Sequence, residues 1–203
     1  MCIRDRYGIA AFPLDYPNEW DRKNRRTGDG IWVHGVTPGP VQRPAFDTDG
    51  CIALPNDDLE SLLERLVPLT TPVIVTRDYA HAEPAEIDAL RAGLRQALGR
   101  WRDSVSSGDL YQYLSMYAED FRYRGMDRAD WEALRYRTFS ERGAVEMHLE
   151  ELALLADPED ATLFLSRFRQ TTSAGGETRQ LTKRLYWRRQ ADGSFRIVAE
   201  DNG

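Results

Sequence analysis

The sequence predicts a chain of mixed fold class, a turn-rich, mainly β part followed by an α+β part. Three observations carry this. Up to about residue 82 the apolar runs are short and punctuated by Pro, Gly, Asn and Asp. From Ile87 apolar residues step by three and four, the period of an amphipathic helix. From Val145 four longer stretches follow one another, separated by turn chemistry.

In the first part, "YGIAAFPL" is a short apolar run ended by Pro13. "PNEWDRKNRRTGDG" reads as a long polar segment with turn residues at both ends. "IWVHG" reads as a strand, bulky and β-branched, stopped by Gly35. "VTPGPVQRPAFDTDG" reads as a loop stiffened by Pro38, Pro40 and Pro44. "CIAL" is a further apolar run. "PNDDLESLLERL" reads as a helix with Asn56 as N-cap and an apolar stripe of Leu59, Leu62, Leu63 and Leu66. "TPVIVTRD" reads as a buried strand.

Residues 79–86, "YAHAEPAE", read as a linker, giving domains at 7–78 and 87–203. After it, Ile87, Leu90, Leu94, Leu98, Trp101 and Val105 mark a helix broken by "SSGD". "LYQYLSMYAEDF" reads as a second short helix capped by Asp109, and "DRADWEALRYRTFSERG" as a third, ended by Gly143. "VEMHLEELALLAD", "ATLFLSRFRQTTS", "TRQLTKRLYWRRQ" and "SFRIVAED" read as four antiparallel strands. Three helices and four strands make a compact α+β unit.

Composition narrows the function classes. Neither part is basic: Lys and Arg number 9 against 12 Asp and Glu up to Ala82, and 18 against 21 afterwards. No nucleic-acid or anionic-membrane surface is expected. No apolar run approaches the roughly 18 residues of a membrane helix. "MCIRDR" lacks signal-peptide anatomy and resembles a translated sequencing adapter. The expectation is that residues 1–6 are an artefact and that any export signal lies outside this sequence. Cys51 would then be the one native cysteine, with no intramolecular disulfide. No metal-ligand cluster is visible, and no cofactor is expected.

The chemistry-bearing stretch is "IWVHGVTPGPVQRPAFDTDGCIAL". A thiolate attacks carbonyls and a thiol does not, so a catalytic cysteine needs a base or amide dipoles beside it. His34 can be that base. Gly50 lets the backbone turn tightly before Cys51, and the N–H groups of Gly50 and Cys51 could face an oxyanion. Losing one such donor costs about 3 kcal/mol. Two strand ends, one bearing His34 and one Cys51, can be neighbours in a sheet. A small buried thiol and a satisfied strand-end histidine fit the same letters.

These residues resemble the catalytic signature of the L,D-transpeptidases, cysteine enzymes of peptidoglycan. That signature has His-Gly, a spacer, then Ser/Thr-x-Gly-Cys. Here sixteen residues separate His34 from Cys51, and Thr48-Asp49-Gly50-Cys51 fills the second half. The resemblance implies Cys51 as nucleophile, His34 as general base, the Gly50 and Cys51 amides at the oxyanion, and Gly35, Thr48 and Asp49 at the substrate. Asp49 stands where the family often has His, and Ala53 where it often has Arg or Asn. Arg43 is a candidate substitute for that missing cation, with a solvated loop arginine as the alternative. A backbone carbonyl near Gly35 is one expectation for the group that orients His34. "TDGCIAL" resembles the subgroup that trims and anchors murein peptides, and the resemblance covers residues 7 to about 78 as a partial domain.

Residues 86–203 resemble the nuclear transport factor 2-like fold, helices followed by a curved sheet forming a cone, on "ALGRWRDSVSSGDLYQYLSMYAEDF" and "KRLYWRRQADGSFRIVAED". Tyr113, Tyr117, Trp131, His148, Tyr186 and Trp187 are read as core or rim, with a pocket lining as the alternative. The two resemblances together imply a peptidoglycan L,D-transpeptidase acting on stem peptides. The alternative is an L,D-carboxypeptidase trimming tetrapeptide to tripeptide with the same pair. A non-catalytic cell-wall interaction module is the alternative of another class. Location in the periplasm or cell envelope is implied by the substrate, and substrate positioning or homodimerisation is implied for the cone.

Overall fold

The computed structural model describes residues 7–37, 48–78, 82–142 and 145–202. The chain divides into two compact units, residues 1–75 and 76–203. In the first, strand β1 (Ala11–Pro13) pairs antiparallel with β2 (Trp32–His34), and β2 pairs parallel with β3 (Ile52–Ala53). The strand that carries His34 is therefore the middle one of three. Helix α1 (Glu19–Lys23) lies in the segment read as long and polar with turn residues at both ends, for which no helix was expected. Its signal was in the letters: Asn18 and Asp21 form a capping box, each side chain taking the other's backbone N–H at 3.0–3.1 Å.

Helix α2 (Asn56–Leu63) forms where the apolar stripe predicted it, and Leu59 is fully buried. Its cap is Pro55, with no side-chain hydrogen bond, and not Asn56. The run "TPVIVTRD" is not a strand. Val73, Ile74 and Val75 are 42, 52 and 71% exposed, and no described strand pairs with them. β-propensity measures fit to a half-buried pleated surface, and without a partner ladder the run stays in water.

The second unit opens with α3 (Pro84–Ser107), which starts inside the segment read as a linker. Leu94, Leu98, Trp101 and Val105 are buried on one face, and Ile87 and Leu90 are half-buried near the start. Gly108, at φ +76°, ends it in the left-handed conformation that glycine adopts without penalty. Helix α4 (Leu110–Ser115) is capped by Asp109, whose Oδ1 accepts from the Gln112 N–H at 2.9 Å. The chain then leaves helix for strand β4 (Tyr117–Arg122), which the sequence reading had placed in that helix. Helix α5 (Arg128–Arg142) follows, and Gly143, its expected end, lies outside the described residues.

Strands β5 (Glu146–Ala156), β6 (Leu163–Ala174), β7 (Glu177–Arg189) and β8 (Phe195–Asp201) form the expected antiparallel ladder. The sheet has five strands, not four, in the order β4-β8-β7-β6-β5, with β4 parallel to β8. Its core holds Trp101, Tyr113, Tyr117, Phe121, Trp131, Phe168 and Trp187. All of these rings but Trp187 meet another at centroid separations of 4.8–6.4 Å in tilted or edge arrangements, the favoured geometry for aromatic packing. No described helix is long and apolar enough to cross a membrane.

Candidate active site

The site is built on the middle strand. Register pairs Ala11 with His34 on one side and Ala53 with His34 on the other. Three backbone bonds lock the histidine's surroundings: Leu14 N–H to Ile31 O at 2.9 Å, Gly35 N–H to Ala10 O at 3.1 Å, and Leu54 N–H to His34 O at 2.9 Å. The imidazole is 3% exposed and stands edge-on to the Tyr7 ring, 5.0 Å away; Tyr7 also stacks on Trp32 at 5.0 Å.

The proton on that imidazole follows from its partner. His34 Nδ1 lies 2.5 Å from the Gly35 carbonyl oxygen. A carbonyl only accepts, so Nδ1 carries the hydrogen, and the neutral ring has its lone pair on Nε2. The strand-end histidine is thus held in the tautomer that can take a proton at Nε2. A backbone carbonyl beside Gly35 was one expectation for the orienting group, and the bond to Gly35 O has that form.

Cys51 directly precedes β3, the parallel neighbour of β2, so the His34 and Cys51 strands adjoin. The thiol is half-buried and donates to the Gly30 carbonyl at 3.4 Å, not to the imidazole. Catalytic hydrogen bonds are often loose before substrate binds, so this contact leaves both roles available. The turn before the cysteine is closed by Thr48, whose hydroxyl donates to the Cys51 carbonyl at 2.7 Å. Thr48 is engaged in the turn itself. Asp49 is exposed and Arg43 lies outside the described residues.

Both glycines of the signature have steric reasons. Gly50 sits at φ +111°, where an added Cβ would lie 2.7 Å from Ile31 Cδ1. At Gly35 a Cβ would lie 2.3 Å from Asn56 Oδ1 and 3.1 Å from the Ile9 nitrogen. Asn56 is the residue the sequence reading misplaced. Its Nδ2 donates to Val36 O at 2.9 Å, and its Oδ1 accepts from the N–H groups of Val36 at 3.2 Å and Ile9 at 3.4 Å. Tyr7 was missed as well; only its place at the start of the first apolar run marked it.

In the second unit, Tyr113, Tyr117, Trp131, Tyr186 and Trp187 are all less than 5% exposed, as core residues are. His148 is exposed and pairs with Glu146 at 2.9 Å. A chain of polar side chains is buried among the aromatics. Tyr117 Oη donates to Glu200 Oε2 at 2.8 Å; Tyr113 Oη lies 2.6 Å from Tyr117 Oη, and Trp101 Nε1 donates to Tyr117 Oη at 3.2 Å. Lys183 Nζ holds the other carboxylate oxygen of Glu200 at 2.8 Å. Burial, then the neighbouring Glu200 and Tyr113, push the Tyr117 phenol well above the ordinary tyrosine value. A small recess beside this chain is lined by Trp101, Tyr113, Arg135, Phe139, Gln170 and Lys183. Among the described residues no group of His, Cys, Asp and Glu could hold a metal ion.

Residues 93–201 match the family model of the Cds6 C-terminal NTF2-like domain. The chain belongs to that NTF2-like family. Ahead of the NTF2-like domain, residues 3–75 match the L,D-transpeptidase catalytic domain. The part ahead of the NTF2-like domain is thus similar to an L,D-transpeptidase catalytic domain over residues 3–75. The solved structure of Bd1075 from Bdellovibrio bacteriovorus is similar at TM-score 0.77 and 23% identity, over 100% of this chain and 71% of that one. The helical cell shape determining protein Pgp2 from Campylobacter jejuni is similar at TM-score 0.75 and 25% identity, over 97% of this chain and 69% of that one. No curated protein sequence matches significantly.

Proposed function

We propose that the first unit is a cysteine acyl-transferase acting on peptidoglycan stem peptides, with Cys51 as nucleophile and His34 as base. The observation that carries this is the hydrogen bond from His34 Nδ1 to the Gly35 carbonyl, which leaves Nε2 free to take a proton on the strand beside Cys51. The family match over residues 3–75 supports the choice of substrate class.

The step is an acyl transfer. Nε2 removes the thiol proton, and sulfur bonds to the carbonyl carbon of an L-to-D peptide bond, typically diaminopimelate followed by D-Ala. The oxyanion formed is met by the Gly50 and Cys51 amides. The C–N bond breaks, and D-Ala leaves as an amine carrying the proton from His34. An acceptor amine or a water then attacks the thioester, His34 takes its proton, and the sulfur leaves. The amine gives transpeptidation; water gives L,D-carboxypeptidation. The pairing with a cone-shaped module supports the hydrolytic outcome as the alternative. Likeness to a cell-shape determinant supports a role in wall remodelling, in the periplasm or envelope. For the cone the proposal is substrate positioning or homodimerisation, and the recess with Arg135 and Lys183 supports the former. The domains proposed are the catalytic unit up to residue 78 and the cone from 87.

Cys51→Ala is expected to abolish D-Ala release from a disaccharide tetrapeptide, and His34→Ala to lower it by orders of magnitude. Mass spectrometry of the products, with and without an added amine, separates the two outcomes. Release unchanged in either variant overturns the assignment. The thiol's bond to Gly30 instead of His34 favours a second reading, a non-catalytic wall-binding module. That reading requires Cys51 to react with iodoacetamide at neutral pH no faster than free cysteine.

A further inference from the structure

The orientation of His34 depends on one peptide unit. The carbonyl that accepts the Nδ1 hydrogen belongs to Gly35, and the N–H at the other end of that same peptide belongs to Val36. That N–H is held by Asn56 Oδ1 at 3.2 Å. A trans peptide points its C=O and N–H in opposite directions. Fixing the N–H on Asn56 therefore aims the carbonyl back at the imidazole. Asn56 also donates through Nδ2 to the Val36 carbonyl at 2.9 Å, so its amide grips both sides of the residue after the critical peptide. A third bond, from the Ile9 N–H to Oδ1 at 3.4 Å, ties the Tyr7-bearing segment to the same point. Glycine at positions 8 and 35 leaves the space Asn56 occupies: a Cβ at either would lie 2.3 Å from its Oδ1.

The residue type is specific. The grip needs one acceptor and one donor on a short side chain, which Asn supplies; Asp at neutral pH has only acceptors and Leu has neither. Asn56 follows Cys51 by five residues and opens α2, so it ties the cysteine's segment to the histidine's.

We propose that Asn56 is a positioning residue that holds His34 in its Nδ1-protonated tautomer through the Gly35–Val36 peptide. This rests on the reading of Cys51 and His34 as the reacting pair. If a flip of that peptide releases the imidazole, the ring relaxes toward its other tautomer and Nε2 ceases to be a base.

The test uses the full chain as wild type, Asn56→Leu, Asn56→Asp, His34→Ala and the Asn56→Leu/His34→Ala double variant. Iodoacetamide alkylation of Cys51 is followed from pH 5 to 9, and the tautomer of His34 is read from long-range ¹⁵N–¹H spectra. In wild type, Nδ1 of His34 carries the proton. Asn56→Leu, which removes the acceptor for the Val36 N–H, is expected to shift His34 toward the Nε2-protonated form and to slow neutral-pH alkylation about tenfold or more, the scale of a misplaced catalytic group; Asn56→Asp, which keeps that acceptor and loses the donor to the Val36 carbonyl, is expected to move both readouts in the same direction by less. In the His34→Ala background, Asn56→Leu is expected to change nothing further. Unchanged tautomer populations in both Asn56 variants overturn the proposal, as does equal slowing with and without His34. Alkylation that is indifferent to His34→Ala itself overturns the Cys-His reading together with this one. Amide spectra of the first unit, which contains Asn56, report its folding, and Asn56→Asp keeps the test open if Asn56→Leu fails to fold.

Discussion

At the residue scale, the site is decided by atoms that have no room to move. Gly35→Ala would set a methyl 2.3 Å from Asn56 Oδ1 and 3.1 Å from the Ile9 nitrogen. Both neighbours are fixed by hydrogen bonds, so relief means breaking the Asn56 grip on Val36. The expected cost is about 1–3 kcal/mol, the scale of overpacking a filled site, read as a drop in the urea midpoint of the first unit. Activity should fall with it, since the carbonyl that orients His34 belongs to residue 35. His34, Gly35, Gly50 and Cys51 stood out through their resemblance to a family signature, and the structure brings the strand of His34 beside the one that Cys51 precedes. Asn56 did not stand out. A polar residue before an acidic first turn reads as an N-cap on local grounds, and its actual partners, Ile9 and Val36, are 47 and 20 residues away in sequence. Periodicity carries no information about such distant partners.

Element by element, the long helix of the second unit was read from its stripe and the two after it from a cap and a closing glycine, and the second was drawn too long. Tyr117 and Phe121 are both buried, four apart, in register with the stripe of α4. They lie on a strand nonetheless. β4 pairs Tyr117 with Ile197 and Arg122 with Ala199, so five steps on one strand oppose two on the other. Residues four apart share a face on a strand as they do on a helix, so this pair does not tell the two apart; the irregularity breaks the alternation at Glu119 between them, which is exposed. The opposite error is "TPVIVTRD", whose β-branched letters stay exposed. The two kinds of apolar residue in the first unit should therefore respond differently to substitution. Leu59→Ala removes a fully buried side chain and should cost about 2–5 kcal/mol. Ile74→Lys, at a half-exposed position, should stay within about 0.5 kcal/mol. Chemical denaturation of both variants checks this, and a large loss at Ile74 would show that the run is covered in solution.

On the scale of the whole molecule, the second unit carries a buried charged network whose contribution pH should reveal. The second unit buries a carboxylate, Glu200, at 0% exposure, held by Lys183 and by the Tyr117 hydroxyl. Replacing one partner of a buried pair strands the other, so Lys183→Met should cost about 3–5 kcal/mol, with Arg135, 4.0 Å from Glu200, giving only partial relief. Tyr117 sets the alkaline limit. Its phenol is held well above the ordinary tyrosine value, first by burial and then by the Glu200 charge. A proton bound more tightly in the folded state than in the unfolded one stabilises the fold fully below the unfolded value. That stabilisation is lost as pH climbs from the ordinary value through the folded one. Stability of this unit should thus decline above about pH 10, where exposed tyrosines begin to ionise. In Tyr117→Phe the neutral-pH stability should fall by about 1–3 kcal/mol, because Glu200 loses a donor in a buried site. The alkaline decline should flatten in the same variant, since the group that must stay protonated is gone. Thermal melts followed between pH 7 and 11 separate the two effects: a neutral-pH loss with an unchanged alkaline slope would assign the decline to another group, and an unchanged melt at pH 7 would mean that water replaces the phenol at Glu200.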